Sequence, residues 1–339
     1  MAKRLILKQL YDPAKAGQPC SVDLVLVHGL NGDPIQTWSS QEGAKGWPQT
    51  LLPEIQPQTR VLSFGYNADI YRSNSAAGIR DNARAMLSQL RALRRGPQAT
   101  KRPIVFFAHC LGGLIVKQAM AFANSEREHK EVALATKTII FLGTPHFGGD
   151  KERWKFLAAP FGFFADSKNG KVSPLVNAMT KGAPDISEIE EDFRHHARKY
   201  RISNNYETDI CDGTDRLIVD QTSAMMGIED ELEAMGGNHR TMCQFEDPDH
   251  PDFMRICQLI RDAYVDEAPS EAVAPVPRPA RTEAPAKKPG EGVVRPEGRP
   301  AVPPADVQVM ARPAAAGRAS APDRDARQDP EWGRRLPGR

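Results

Sequence analysis

Nothing in these 339 residues approaches 18 consecutive apolar positions, and the run in MAKRLILKQLYDPAKAG is far too short for a signal-peptide core. Neither a transmembrane segment nor a secretory leader is expected. Cysteine is sparse and unpaired in pattern: Cys20, Cys110, Cys211, Cys243 and Cys257 are odd in number and form no CxxC pair. That excludes a recognisable zinc site or disulfide framework and favours a reducing, intracellular, cytoplasmic setting. Neither metal nor cofactor is expected. Charge of one sign is lacking too, since 45 Lys plus Arg face 43 Asp plus Glu. A nucleic-acid partner would need a clustered basic face, so none is expected.

Large apolar residues are scarce in one region only. Positions 267–339 hold one aromatic, Trp332, but 14 of the 28 prolines. Such a segment cannot offset its chain entropy by burial, so a disordered Pro/Ala/Arg-rich tail is expected at 267–339 and one globular domain at 1–266. The PxP spacings at Pro275, Pro277 and Pro279 identify no protein partner for it.

Within 1–266, apolar runs alternate with helical patterns. Asp23–Val27, Val61–Phe64, Pro103–Phe107 and Thr138–Leu142 read as buried strands. Helical spacing covers Ser75 to about Arg95, Leu111–Ala123 and Pro251 to about Tyr264. Strands without polar alternation, separated by helices, imply the α/β class, with a mostly parallel sheet covered on both faces. Residues 150–200 interrupt the rhythm with an aromatic patch (Trp154, Phe156, Phe161, Phe163, Phe164) and the helix DISEIEEDFRHHARKY, a length that suits a helical cap insertion or an extra helical layer. Another strand-like segment is Arg201–Tyr206.

The segment IVFFAHCLGG carries the most chemistry. A strand runs through Ala108 and His109 to Cys110, and a helix starts through Leu111 and Gly112. This is the form of a nucleophile elbow, whose small residues let strand and helix backbones approach closely. A thiol there sits at a helix amino terminus, where dipole and backbone N–H groups favour a thiolate able to attack an acyl carbonyl. The competing reading makes Cys110 a small buried filler. Upstream, the turn His28-Gly29-Leu30-Asn31-Gly32 follows an early strand, where hydrolases supply one oxyanion N–H. The donors would be Leu30 and Leu111, with His28, Gly29 and His146 lining the pocket.

VHGLNGDPIQTW, FGYNADI, FFAHCLGGLIVKQAM, IIFLGTPHFGG, SEIEEDF, LIVDQTSAMMG and NHRTMCQF follow one another in that order. In this set the chain resembles the lipase-like α/β-hydrolases of the serine-active-site-containing protein group, related domains of which open fungal NOD-like receptors. The resemblance spans about residues 20–265 and departs at the nucleophile, which is Cys110 where the group usually has serine. It implies an α/β-hydrolase fold and hydrolysis of an acyl ester or lipid, or a thioester. It further implies His239 as the base, Glu207 as the acid with Asp220 and Asp215 as alternatives, and association with mitochondria or the endoplasmic reticulum. The alternative is a hydrolase-fold signalling or interaction module without efficient turnover.

Overall fold

The computed structural model describes residues 5–69, 77–148, 174–179, 182–226 and 231–265. The aromatic patch, part of the expected cap and the segment 267–339 lie outside these. The chain divides between residues 274 and 275, and every described residue belongs to the first unit.

Seven strands form one sheet: β1 (Ile6–Tyr11), β2 (Val22–Val27), β3 (Thr59–Gly65), β4 (Ile104–His109), β5 (Thr136–Leu142), β6 (Arg201–Asp209) and β7 (Glu231–Asn238), in the order β1-β3-β2-β4-β5-β6-β7. β1 runs antiparallel to β3, and every other pairing is parallel. Every residue of β2 and β4 is buried, which explains why their sequences read as unbroken apolar runs: both faces are covered. Alternate residues go to opposite layers. Val25, Val27 and Phe106 join α1 (Ile79–Leu93), α2 (Leu111–Ser125) and α3 (Pro184–Ala197) in one core. Leu24, Leu26, Val105 and Phe107 join α4 (Pro251–Val265), with Trp38 and Trp47, in the other. α2 is buried from Leu111 to Ala123 because neighbouring helices and the sheet surround it.

The two sheet edges escape the sequence pattern. β1 is half-exposed and reads as a short polar-apolar mixture. β7 contains Gly236 and Gly237, which suggest a loop, yet it pairs with β6 through a register shift between Glu207 and Asp209. At the amino ends of the parallel strands, fully buried Asp23 accepts from Arg60 at 2.8 Å through both oxygens, and also pairs with Arg94 and with Arg102. Among the described residues no helix is long and apolar enough to cross a membrane.

Candidate active site

The carboxyl ends of the strands gather the residues singled out above. β4 ends at His109, α2 begins at Leu111, and Cys110 between them has φ 53° and ψ −123°. For a residue with a side chain that backbone conformation costs about 1–3 kcal/mol and persists only where its surroundings impose it. Here the Cys110 N–H donates to Leu142 O of β5 at 2.9 Å, and the Cys110 carbonyl accepts from Gly113 N at 3.0 Å. Close approach explains the small residues: a methyl on Gly112 would lie 2.2 Å from Val27 O, and one on Gly29 would lie 2.6 Å from Cys110 Cβ. Ala108 sits in the sheet beside Val27 and Phe141. The HGLNG turn therefore lies directly against the elbow. Asn31, at φ 56°, anchors it by donating to Ala68 O. Leu111 occupies the first turn of α2, where backbone N–H groups have no intrahelical acceptor.

His239 follows β7 in a tight turn. The Asn238 carboxamide oxygen accepts from Arg240 N and Thr241 N, while Thr241 Oγ1 accepts from Asn238 N. The turn buries the imidazole completely, with Nδ1 2.8 Å from Glu207 Oε2. Glu207, equally buried, accepts from Val219 N through Oε1 at 2.8 Å. Gly143, at φ 50°, leaves the space this pair needs: a methyl there would lie 2.9 Å from the His239 ring and 3.1 Å from Glu207. Burial pushes His239 toward the neutral form, but the Glu207 carboxylate and the adjacent Cys110 sulfur outweigh it, so its pKa lies well above the ordinary histidine value.

The other two carboxylates stand elsewhere. Asp220 caps the short helix Gln221–Ala224 by accepting from Ser223 N at 2.9 Å. Asp215 is exposed and pairs with Arg216. Of the remaining histidines, His109 donates from Nε2 to the His239 carbonyl at 2.7 Å, and burial, with His239 nearby, lowers its pKa to about 3. It stays neutral and braces the turn that carries His239. His28 stacks on Tyr66 with ring centroids 4.4 Å apart, while Tyr66 Oη donates to its carbonyl at 2.7 Å.

A cavity of about 540 Å³ opens beside His239, bounded among others by Leu30, Thr37, His109, Arg240 and Gln244. His28, Gly29 and His146, expected to line the pocket, do not border this cavity. His28 and Gly29 are packed into the elbow, and the His146 ring is held by Lys117 and Asn204. His109 of the elbow borders it too, as do Thr37, Arg240 and Gln244, which lie within the motifs quoted above but are not singled out there by residue type. Cys110 has no exposed surface. Glu126, Glu128 and His129 have ligand atoms within 4.8 Å of one another, but they lie past the opposite end of α2, and the carboxylates of Glu126 and Glu128 pair with Arg84 and Arg91.

Residues 23–172 match the family model described as "Putative serine esterase (DUF676)". Protein SERAC1 of Homo sapiens is 26% identical over 283 residues, covering 75% of this chain and 41% of that protein. The Danio rerio protein of the same name is 25% identical over 281 residues, with the same shares covered. The chain thus spans about two fifths of the length of these curated relatives. Among solved structures, phospholipase PlaB from Legionella pneumophila superposes with a TM-score of 0.53 at 12% identity, covering 73% of this chain and 61% of that one. The likeness bears on architecture, and together with the strand order it assigns this chain the α/β-hydrolase fold.

Proposed function

We propose that this protein hydrolyses carboxylic esters, lipid or other acyl esters and thioesters included, through a covalent intermediate on Cys110. His239, oriented by Glu207, takes the proton of the Cys110 thiol, and the sulfur attacks the acyl carbonyl. The N–H groups of Leu30 and Leu111 donate to the oxyanion. His239 then protonates the departing alkoxide or thiolate, leaving an acyl thioester on Cys110. A water molecule that gives its proton to His239 attacks this thioester, releasing the acid and restoring the thiol. No cofactor enters the scheme. The observation that carries the reading is the fully buried 2.8 Å contact of His239 with Glu207, directly beside a cysteine held at φ 53°. The esterase family match and the phospholipase-like fold support the same substrate class. We assign the catalytic unit to residues 1–266, with 267–339 as an appendage.

One observation favours a second reading, a hydrolase-fold interaction module with little turnover. Cys110 is completely covered, so substrate reaches it only after its cover shifts. Steady-state hydrolysis of short p-nitrophenyl esters and an acyl thioester by wild type and Cys110→Ser separates the two. The hydrolase reading expects wild-type turnover that falls when sulfur is replaced, since a site fitted to one nucleophile loses rate when the atom is misplaced. Inertness of both proteins, with no acyl adduct on either, leaves the interaction module.

A further inference from the structure

We propose that His146 is a positioning residue, held between Lys117 and Asn204 so that it fixes the 219–223 segment that holds Glu207 of β6 toward His239. The inference rests on the triad reading above.

Lys117 lies two turns into α2 from Cys110, without exposed surface, and its ammonium pairs with Glu190 of α3. The same ammonium is 3.1 Å from His146 Nδ1. An ammonium only donates, so Nδ1 accepts and the ring proton resides on Nε2, which meets Asn204 Oδ1 at 3.1 Å. The imidazole packs edge-on against Phe141, centroids 5.0 Å apart. Burial and the Lys117 charge both push the His146 pKa well below its ordinary value, so it stays neutral and is no second base. Among the described residues, the titratable groups found against it are Lys117 from α2 and, behind that ammonium, Glu190 from α3.

Two routes lead from this residue to the acid, one from the ring and one from its backbone. Asn204 stands three residues before Glu207 on β6. The second route runs through the backbone: His146 N–H donates to Ser223 O at 2.8 Å, Ser223 N–H donates to the Asp220 carboxylate, and the neighbouring Val219 N–H donates to Glu207 Oε1. Well-packed apolar side chains often fill such a volume without loss of stability, so a chain of buried Lys117, His146 and Asn204 with half-buried Glu190 is poorly explained as packing. It is well explained as a device that locks one geometry.

The test uses the full chain as wild type, His146→Phe and Glu190→Gln. The readouts are the downfield proton resonance of His239 Nδ1–H, assigned by its change in Glu207→Gln, and kcat and KM on p-nitrophenyl butyrate. In His146→Phe the resonance should broaden or move upfield and kcat fall ~10- to 10²-fold, with KM nearly unchanged, as for a small misplacement of a catalytic group. Glu190→Gln should act in the same direction, less strongly, and it carries the test if His146→Phe does not fold. An unmoved resonance and unchanged kcat in a folded variant, with only a lower thermal midpoint, would overturn the proposal. A wild type without turnover whose resonance still moves in the variants defeats the hydrolase reading and leaves the positioning role standing. Turnover in wild type that neither variant changes, with the resonance fixed, defeats the positioning role alone.

Discussion

Both ends of the parallel sheet bury a cluster of ionisable side chains. At the amino ends, Asp23 is matched by Arg60, Arg94 and Arg102, and none of these four residues has a positive φ. At the carboxyl ends, Cys110, His239 and Glu207 meet where Cys110 has φ 53° and Gly143 has φ 50°. The first cluster matches a buried carboxylate with guanidinium groups that only donate hydrogen bonds. The second gathers a thiol, an imidazole and a carboxylate, with Cys110 in a backbone conformation that a residue with a side chain rarely adopts. Buried charge alone does not mark a site; exchangeable protons together with imposed strain do.

The sharpest way to break this contrast is to exchange consequences between the ends. Cys110→Ala should lower ester hydrolysis by ~10⁴- to 10⁶-fold while leaving the urea midpoint nearly unchanged. Glu207→Gln should cost about 10²- to 10⁴-fold in kcat, because the base loses its orienting partner. Asp23→Ala should do the reverse: about 3–5 kcal/mol of unfolding free energy lost in urea titration, because Arg94 is left buried without its carboxylate, and kcat per folded molecule preserved. If Asp23→Ala abolished activity in the folded fraction, the division of labour would be wrong.

pH separates the histidines by sign. The raised pKa of His239 means that its contribution to stability is complete below the unfolded value of about 6.5 and declines as pH rises through the folded pKa. His109, at about 3 when folded, contributes above about 6.5, and that contribution is lost as pH falls toward 3. His109→Gln should therefore flatten the acid limb of the stability profile and leave the alkaline limb alone, as read by thermal midpoints across pH. The smallest expected effect is that of removing 267–339: truncated and full-length proteins should share kcat and urea midpoint.

Much of this was readable in advance where one local signal suffices. Continuous apolar runs gave β2, β4 and β5, and small residues around Cys110 gave the elbow, because both follow from burial and close backbone approach. The edges were not readable: β1 and β7 gain strand character from a single neighbour, and Gly236-Gly237 argues locally for a loop. Nor was the company of His239 a local matter. By residue type Glu207, Asp220 and Asp215 all remain candidates, and the family resemblance alone ranks Glu207 first; β6 and the turn at 238–241 set Glu207 2.8 Å from the ring. The Lys117–His146–Asn204 chain joins three elements and leaves no pattern in any of them.

The central claim, that His239 and Glu207 activate the sulfur of Cys110, is tested most directly by intact and peptide-resolved mass spectrometry after brief exposure to p-nitrophenyl acetate. The account predicts a single acetyl group on Cys110 in the wild type, absent in Cys110→Ala and strongly reduced in His239→Ala. Acetylation that spares Cys110, or that reaches it equally in His239→Ala, would contradict it.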